Sequence, residues 1–162
     1  MSRAPLMALD EALAALLAQA AAPLAQEEVS TFDADGRVLA QDIVSALQVP
    51  AFDNSAMDGY ALRCADVAAA GTALPVSQRI AAGSVGAPLQ SGTAARIFTG
   101  APVPPGADAV VMQEYCVAQD AGTVRVQAVP RADQNIRRAG EDIAQGAVVL
   151  RAGTRLTPAE RA

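Results

Sequence analysis

Residues 50 to 62, Pro-Ala-Phe-Asp-Asn-Ser-Ala-Met-Asp-Gly-Tyr-Ala-Leu, concentrate the side chains of this chain best suited to chemistry. The carboxylates of Asp53 and Asp58, the amide of Asn54 and the hydroxyl of Ser55 are interleaved with apolar Phe52, Met57, Tyr60 and Leu62. Gly59 supplies a hinge. Apolar anchors on either side of a polar group hold that group in one place, which a loop presenting oxygen ligands requires. The plainer reading of the same residues is an Asx turn leading into a strand, because Asp and Asn side chains readily bond their own backbone.

Two absences narrow the chemistry. The chain has no histidine and no lysine, and all 12 basic residues are arginine. Imidazole metal sites, Ser-His or Cys-His nucleophiles and a lysine-bearing phosphate loop cannot be built from such a set. Carboxylate, hydroxyl and carbonyl oxygens remain, and these suit Mg²⁺ or Ca²⁺. A bound oxyanion would be met by arginine, backbone N–H groups or a metal. The net charge of −5 argues against a nucleic-acid partner, which needs a concentrated basic surface. Cys64 and Cys116 stand apart without CxxC spacing, as reduced packing cysteines of a cytoplasmic protein do. Asp10 and Glu11 interrupt the N-terminal apolar run, so neither an export signal nor a membrane span is expected.

The elements that must position these residues can be read from periodicity. Leu6, Leu9, Leu13, Leu16 and Leu17 form a helical stripe over 5–22, with Pro5 at the start and Pro23 as a stop. This helix is expected to serve packing. A strand, a turn around Asp33 to Gly36, and further short strands at Val38-Leu39 and Ile43-Val44 follow. Beyond Tyr60, β segments are expected at 59–63, 75–80, 94–99, 108–117 and 123–129. The clearest hairpin reading pairs Val110-Val111-Met112 with Val124-Arg125-Val126 across Asp120-Ala121-Gly122. Thr157-Pro158-Ala159-Glu160 reads as a capping box, two residues before the chain stops. An isolated single turn of helix is unstable, so the chain is expected to be the front part of a longer protein.

Asp53-Asn54-Ser55-Ala56-Met57-Asp58-Gly59-Tyr60-Ala61 resembles the signature of the molybdopterin molybdenumtransferases, the family of bacterial MoeA and the E domain of gephyrin. Three more blocks agree in order. Gly36-Arg37-Val38-Leu39-Ala40 resembles the family's early GR-(V/I)-LA segment. Thr99-Gly100-Ala101-Pro102-Val103-Pro104 resembles its TGAPVP block. Asn135-Ile136-Arg137-Arg138-Ala139-Gly140-Glu141-Asp142 resembles its NIR-x-x-GED block.

The resemblance implies an enzyme that inserts molybdate into adenylylated molybdopterin, releasing AMP, with Mg²⁺ as cofactor. It implies Asp58, Thr99 and Asp142 as catalytic positions, with Asp58 and Asp142 as Mg²⁺ ligands. Ser55, Gly100, Arg137 and Arg138 follow as substrate-binding positions. It also implies a homodimer in which a domain absent from this chain completes each site from the partner. On the same resemblance, the family's catalytic α/β domain and C-terminal β-barrel are expected to lie outside these residues.

Structural readings stand beside these roles. Asp58 also fits a turn aspartate, and Thr99 a strand-terminal cap on a proline-stiffened loop. Arg137 and Arg138 also fit a solvated ion-pair cluster with Asp142. At the level of the whole chain, the alternatives are a non-catalytic dimerisation or binding module and a self-contained carboxylate-metal hydrolase using Asp58, Glu141 and Asp142. The expected fold is α+β. An α/β lobe comprises residues 1–46 plus 143–162, and a mainly-β lobe is inserted at 47–142.

Overall fold

The computed structural model describes residues 7–20 and 25–161, which contain one α-helix and a predominantly β remainder, an α+β fold. The chain divides into two compact units, residues 1–41 with 152–162 and residues 42–151.

In the first unit, helix α1 spans Leu9–Gln19. Of the expected helix, Pro5, Leu6 and residues 21 and 22 lie outside the described residues, as does Pro23. Asp10 and Glu11 fall in the first turn, where they complement the helix dipole. The leucine stripe is helical as its spacing requires, but no side chain of α1 is buried, and Leu9, Leu13, Leu16 and Leu17 are all exposed. Residues 36–39 run antiparallel to 153–156. Gly36 and Leu39 donate to Leu156 O and Thr154 O, and Leu156 and Gly153 donate back to Arg37 O and Leu39 O, at 2.8–2.9 Å. Half of the expected capping box forms, the Glu160 side chain closing back on Thr157. Thr157 N–H donates to Glu160 Oε2 at 2.8 Å and Ala159 N–H to Thr157 Oγ1 at 3.4 Å, closing a turn over 158–161.

The second unit holds strands β1 (Ile43–Val44), β2 (Asn54–Ser55), β3 (Gly59–Leu62), β4 (Thr72–Ile80), β5 (Ala94–Ile97) and β6 (Ala109–Met112). It continues with β7 (Cys116–Gln119), β8 (Thr123–Val126), β9 (Ile136–Arg137) and β10 (Val148–Leu150). β1 pairs with β10 inside this unit, whereas the expected division had assigned residues 42–46 and 143–151 to the other lobe. The main sheet has six strands in the order β6-β3-β5-β4-β8-β7, with β4 and β5 parallel and the other neighbours antiparallel.

Both faces of β6 are covered, which suits its apolar run, whereas β5 interrupts its buried alanines and Ile97 with the half-buried Arg96. Leu62, Ala94, Ala109 and Val111 face a core with Val67, Leu74, Val124 and Val126. Ala61, Ala95, Ile97 and Val110 face a second core closed by Ile80, Leu89 and Ala101. Small alanines on the central strands let the layers approach closely in a chain with few aromatics.

The hairpin expectation needs correction. β8 pairs with β7, not with 110–112, and β6 pairs instead with β3. The turn at Asp120–Gly122 does join two strands, but the short helical turn Gln113–Tyr115 breaks the expected 108–117 segment and starts a new strand at Cys116. Val110 and Val111 point into opposite cores and are both fully buried, so β6 is enclosed on both faces although it closes one end of the sheet, the end opposite β7.

Candidate functional site

Segment 53–58 is gripped from two sides. β2 pairs with β9, Asn54 opposite Arg137 and Ser55 opposite Ile136. On its other edge Ser55 N–H donates to Ala101 O and Gly100 N–H to Ser55 O, both at 2.9 Å, and Val103 N–H donates to Asp53 O at 3.0 Å. Ser55 is buried, and its hydroxyl donates to Met57 O at 2.5 Å while accepting from Met57 N–H at 3.3 Å. Its hydroxyl therefore closes a local turn on its own backbone.

That turn delivers Asp58 to the start of β3. The next position has room only for glycine. A Cβ at Gly59 would stand 2.1 Å from Val111 O on the paired strand. Strand packing against β6 is thus sufficient reason for the Asp-Gly sequence. Thr99, just beyond β5, donates to Asp58 Oδ1 twice, from its N–H and from its hydroxyl, each at 2.8 Å. Gly100 adopts φ +79°, which turns the chain so that Thr99 N–H meets Asp58 while Gly100 N–H meets Ser55. The N–H of Thr99, then its hydroxyl, and then the nearby Arg96 charge hold the Asp58 carboxyl below its ordinary pKa.

The second half of the site is built by residues 131–142. Asp133 and Asn135 occupy left-handed backbone (φ 64° and 55°), a region short Asx side chains enter more readily than others. Asn135 then donates its side-chain amide to Val110 O at 2.9 Å, and its carbonyl accepts from Ala56 N–H at 2.9 Å. This fixes β9 against both β6 and the 53–58 segment. From β9, Arg137 donates from Nη2 to both carboxylate oxygens of Asp142 at 2.6 Å, with Glu141 at 3.6 Å from its Nε. Arg138 bonds Asp53 and Asp133, while Ala139 N–H donates to Asp53 Oδ1 at 2.8 Å. The N–H of Ala139, then Arg138, lowers the Asp53 pKa against the opposing effect of burial. Both arginines are therefore engaged within the chain, in partly exposed ion pairs.

The residues singled out from sequence form one connected series: Asp58 on Thr99, Gly100 on Ser55, Ser55 in register with Ile136, and Arg137 on Asp142. They do not form a carboxylate cluster. Among the described residues no group of three or more His, Cys, Asp or Glu side chains could hold a metal ion, so the trio needed by the hydrolase reading is not assembled. Among the described residues the donor set for Mg²⁺ is incomplete. Both oxygens of Asp142 are taken by Arg137, whereas Asp58 Oδ2 carries no hydrogen bond among the described residues. Sequence reasoning missed Arg96, whose Nη1 donates to Gly59 O at 2.8 Å and whose Nη2 donates to Gln113 Oε1 at 2.6 Å. The available signal was the alternation Arg96-Ile97-Phe98, which puts Arg96 and Phe98 on one side of the chain and the buried Ile97 on the other.

Residues 7–162 match the family model described as MoeA N-terminal region (domain I and II). A protein of Haemophilus influenzae named molybdopterin molybdenumtransferase is 41% identical over 153 residues, covering 94% of this chain and 38% of that protein. Molybdopterin molybdenumtransferase 2 of Mycobacterium tuberculosis is 48% identical over 135 residues, covering 78% of this chain and 32% of that protein. The crystal structure of the molybdopterin biosynthesis moeA protein from Pyrococcus horikoshii OT3 superposes with a TM-score of 0.77 at 39% identity, over 83% of this chain and 37% of that one. The chain thus spans less than two-fifths of the length of these relatives. Its mixed fold, its four sequence blocks and these matches agree, and the chain belongs to the MoeA N-terminal region family.

Proposed function

We propose that this chain is the N-terminal portion of a molybdenum insertase, a transferase that passes molybdate to adenylylated molybdopterin in molybdenum cofactor biosynthesis and releases AMP. Asp58 is its principal contribution. The observation that carries this reading is the double donation of Thr99 to one oxygen of Asp58, which immobilises an ionised carboxylate and leaves its second oxygen open. Catalytic groups gain from being fixed before substrate arrives. Asp142, held by Arg137, and the Gly100 turn complete the chain's share, and Arg138 braces the loop through Asp53. Mg²⁺, if it takes Asp58 as a ligand, needs further donors from outside these residues. By itself the 162-residue chain is inactive in this reading.

The experiment is substitution in a full-length relative. Asp58→Ala is expected to lower molybdate insertion on the order of a hundredfold, the scale of losing a preorganised polar group from a site. Its mass by light scattering is expected to stay that of the parent. Undiminished insertion overturns the reading.

The exposed leucines of α1 favour a second role, association into a homodimer whose partner subunit supplies the missing part of the site. Light scattering of the 162-residue chain tests it, and a monomeric mass at high concentration rejects it.

A further inference from the structure

A cleft of about 560 Å³ in the second unit is lined by Tyr60, Ser77, Arg79, Arg96, Phe98 and Thr123, among others. Arg79 and Arg96 are register partners on parallel β4 and β5, so their side chains leave neighbouring strands on one face. Tyr60 continues that row on β3, opposite Arg96. Like charges placed directly across a strand pair repel. An acidic chain has ample means to neutralise such a pair, with 17 carboxylate residues against 12 arginines. Arg37, Arg63, Arg137, Arg138 and Arg161 each meet a carboxylate, whereas among the described residues none comes within ion-pair distance of Arg79 or Arg96, nor of Arg125, Arg131, Arg151 or Arg155. Of these six, only Arg79 and Arg96 are set side by side in one cleft.

What meets them is aromatic. The guanidinium carbons of Arg79 and Arg96 lie 4.8 and 4.5 Å from the centre of the Phe98 ring, and Arg96 lies 5.2 Å from that of Tyr60. Stacking on a ring face leaves the edge of a guanidinium, where its N–H donors point, open to a ligand. Arg96 is clamped by Gly59 O and Gln113, so its charge is fixed in position. Arg79 has no hydrogen bond from its guanidinium among the described residues.

We propose that this cleft binds a doubly charged tetrahedral oxyanion, the class of phosphate, sulfate and molybdate, with Arg79 as the donating fork and Arg96 as the fixed charge. The anion neutralises the unpaired arginines, and Ser77 and Thr123 line the same space. The inference stands on the charges of the cleft and does not depend on the insertase reading. The site shares Arg96 with the surroundings of Asp58, so its occupancy also bears on that carboxylate.

The test is titration of the 162-residue chain with sodium phosphate, sulfate and molybdate at constant ionic strength, followed by calorimetry and by NMR of the arginine Nε–H groups. Saturable binding of at least one dianion is expected, with shifts confined to Arg79 and Arg96. Arg79→Gln is expected to weaken it at least about tenfold, the scale of one charge-assisted contact. Arg151→Gln, at an exposed arginine outside the cleft, is expected to leave it unchanged. A preference for molybdate over the other two ties the cleft to the substrate chemistry of the family, and equal binding of all three marks it as a general oxyanion site. No saturation by about 20 mM of any of the three, or equal affinity in Arg79→Gln, overturns the proposal. Should that variant unfold, the parent's shifts decide: movement at Arg79 and Arg96 supports it, and movement elsewhere or none rejects it.

Discussion

Thr99 places two donors on a single atom of Asp58, its N–H and its hydroxyl each 2.8 Å from Oδ1. A carboxylate held in this way cannot rotate freely, and its charged form is favoured over its neutral one. The backbone N–H is the larger of the two influences. Thr99→Val removes the hydroxyl alone, so the Asp58 pKa is expected to rise only part of the way to its ordinary value. Titration of the Asp58 carboxyl carbon by NMR measures this, and a complete return to the ordinary value contradicts the ranking.

The same pair makes stability depend on acid. Asp58 has an ordinary pKa of 3.8 and a lower one in the folded chain. Its contribution is therefore fully present above the unfolded value and is lost as pH falls through the folded one. Asp58→Asn is expected to flatten the decline of the urea midpoint between about pH 4 and pH 2. An unchanged decline means that Thr99 does not favour the ionised form.

Gly59 is expected to tolerate no side chain. Its Cβ would meet Val111 O at 2.1 Å and Val111 C at 2.9 Å, both backbone atoms of a fully buried residue on the paired strand. Gly59→Ala is expected to destabilise the chain by about 2 kcal/mol or more, as overpacking does. Gly122→Ala, with nothing within 4 Å but φ +71°, should lose only about 1 kcal/mol. Denaturant midpoints of the two variants check the order.

Leu62 is completely buried at the junction of β3 with the first core cluster. Leu62→Ala is expected to lower unfolding free energy by about 3 kcal/mol, the middle of the range for a buried leucine. Asp142→Asn, which disrupts a partly exposed ion pair, should leave the midpoint nearly where it was. An insertion defect in the full-length protein carrying Asp142→Asn would then be functional and not a folding failure.

Cys64 and Cys116 are each pushed up to about 11, mainly by burial and for Cys64 also by Asp108. At pH 8 the folded chain therefore holds on the order of a hundredfold less thiolate than a thiol at its ordinary value near 9. Labelling by a disulfide reagent is expected to be slow until urea unfolds the chain. Rapid labelling of both thiols in the folded state contradicts this.

Local signals carried the parts of this fold that depend on neighbours in sequence. The leucine spacing marks α1, the Thr157–Glu160 spacing marks its turn, and Asp120-Ala121-Gly122 marks a reversal. They misplaced the partner of β8. Val110-Val111-Met112 and Cys116–Gln119 each form an end strand of the sheet, and only tertiary packing, with β6 buried and β7 largely exposed, decides which of them β8 meets. The Arg79–Phe98–Arg96 row was illegible for a similar reason, since its members come together through the parallel pairing of β4 with β5.

Composition by itself ruled out imidazole and lysine chemistry, and four blocks of residues marked the family, because residue types and short spacings are properties of the chain alone. The tertiary structure decided which oxygen holds which hydrogen. Asp58 finds Thr99 across 41 positions and Arg138 finds Asp53 across 85. Such meetings depend on strand order and register, which are settled by long-range packing of two cores and not by any local preference.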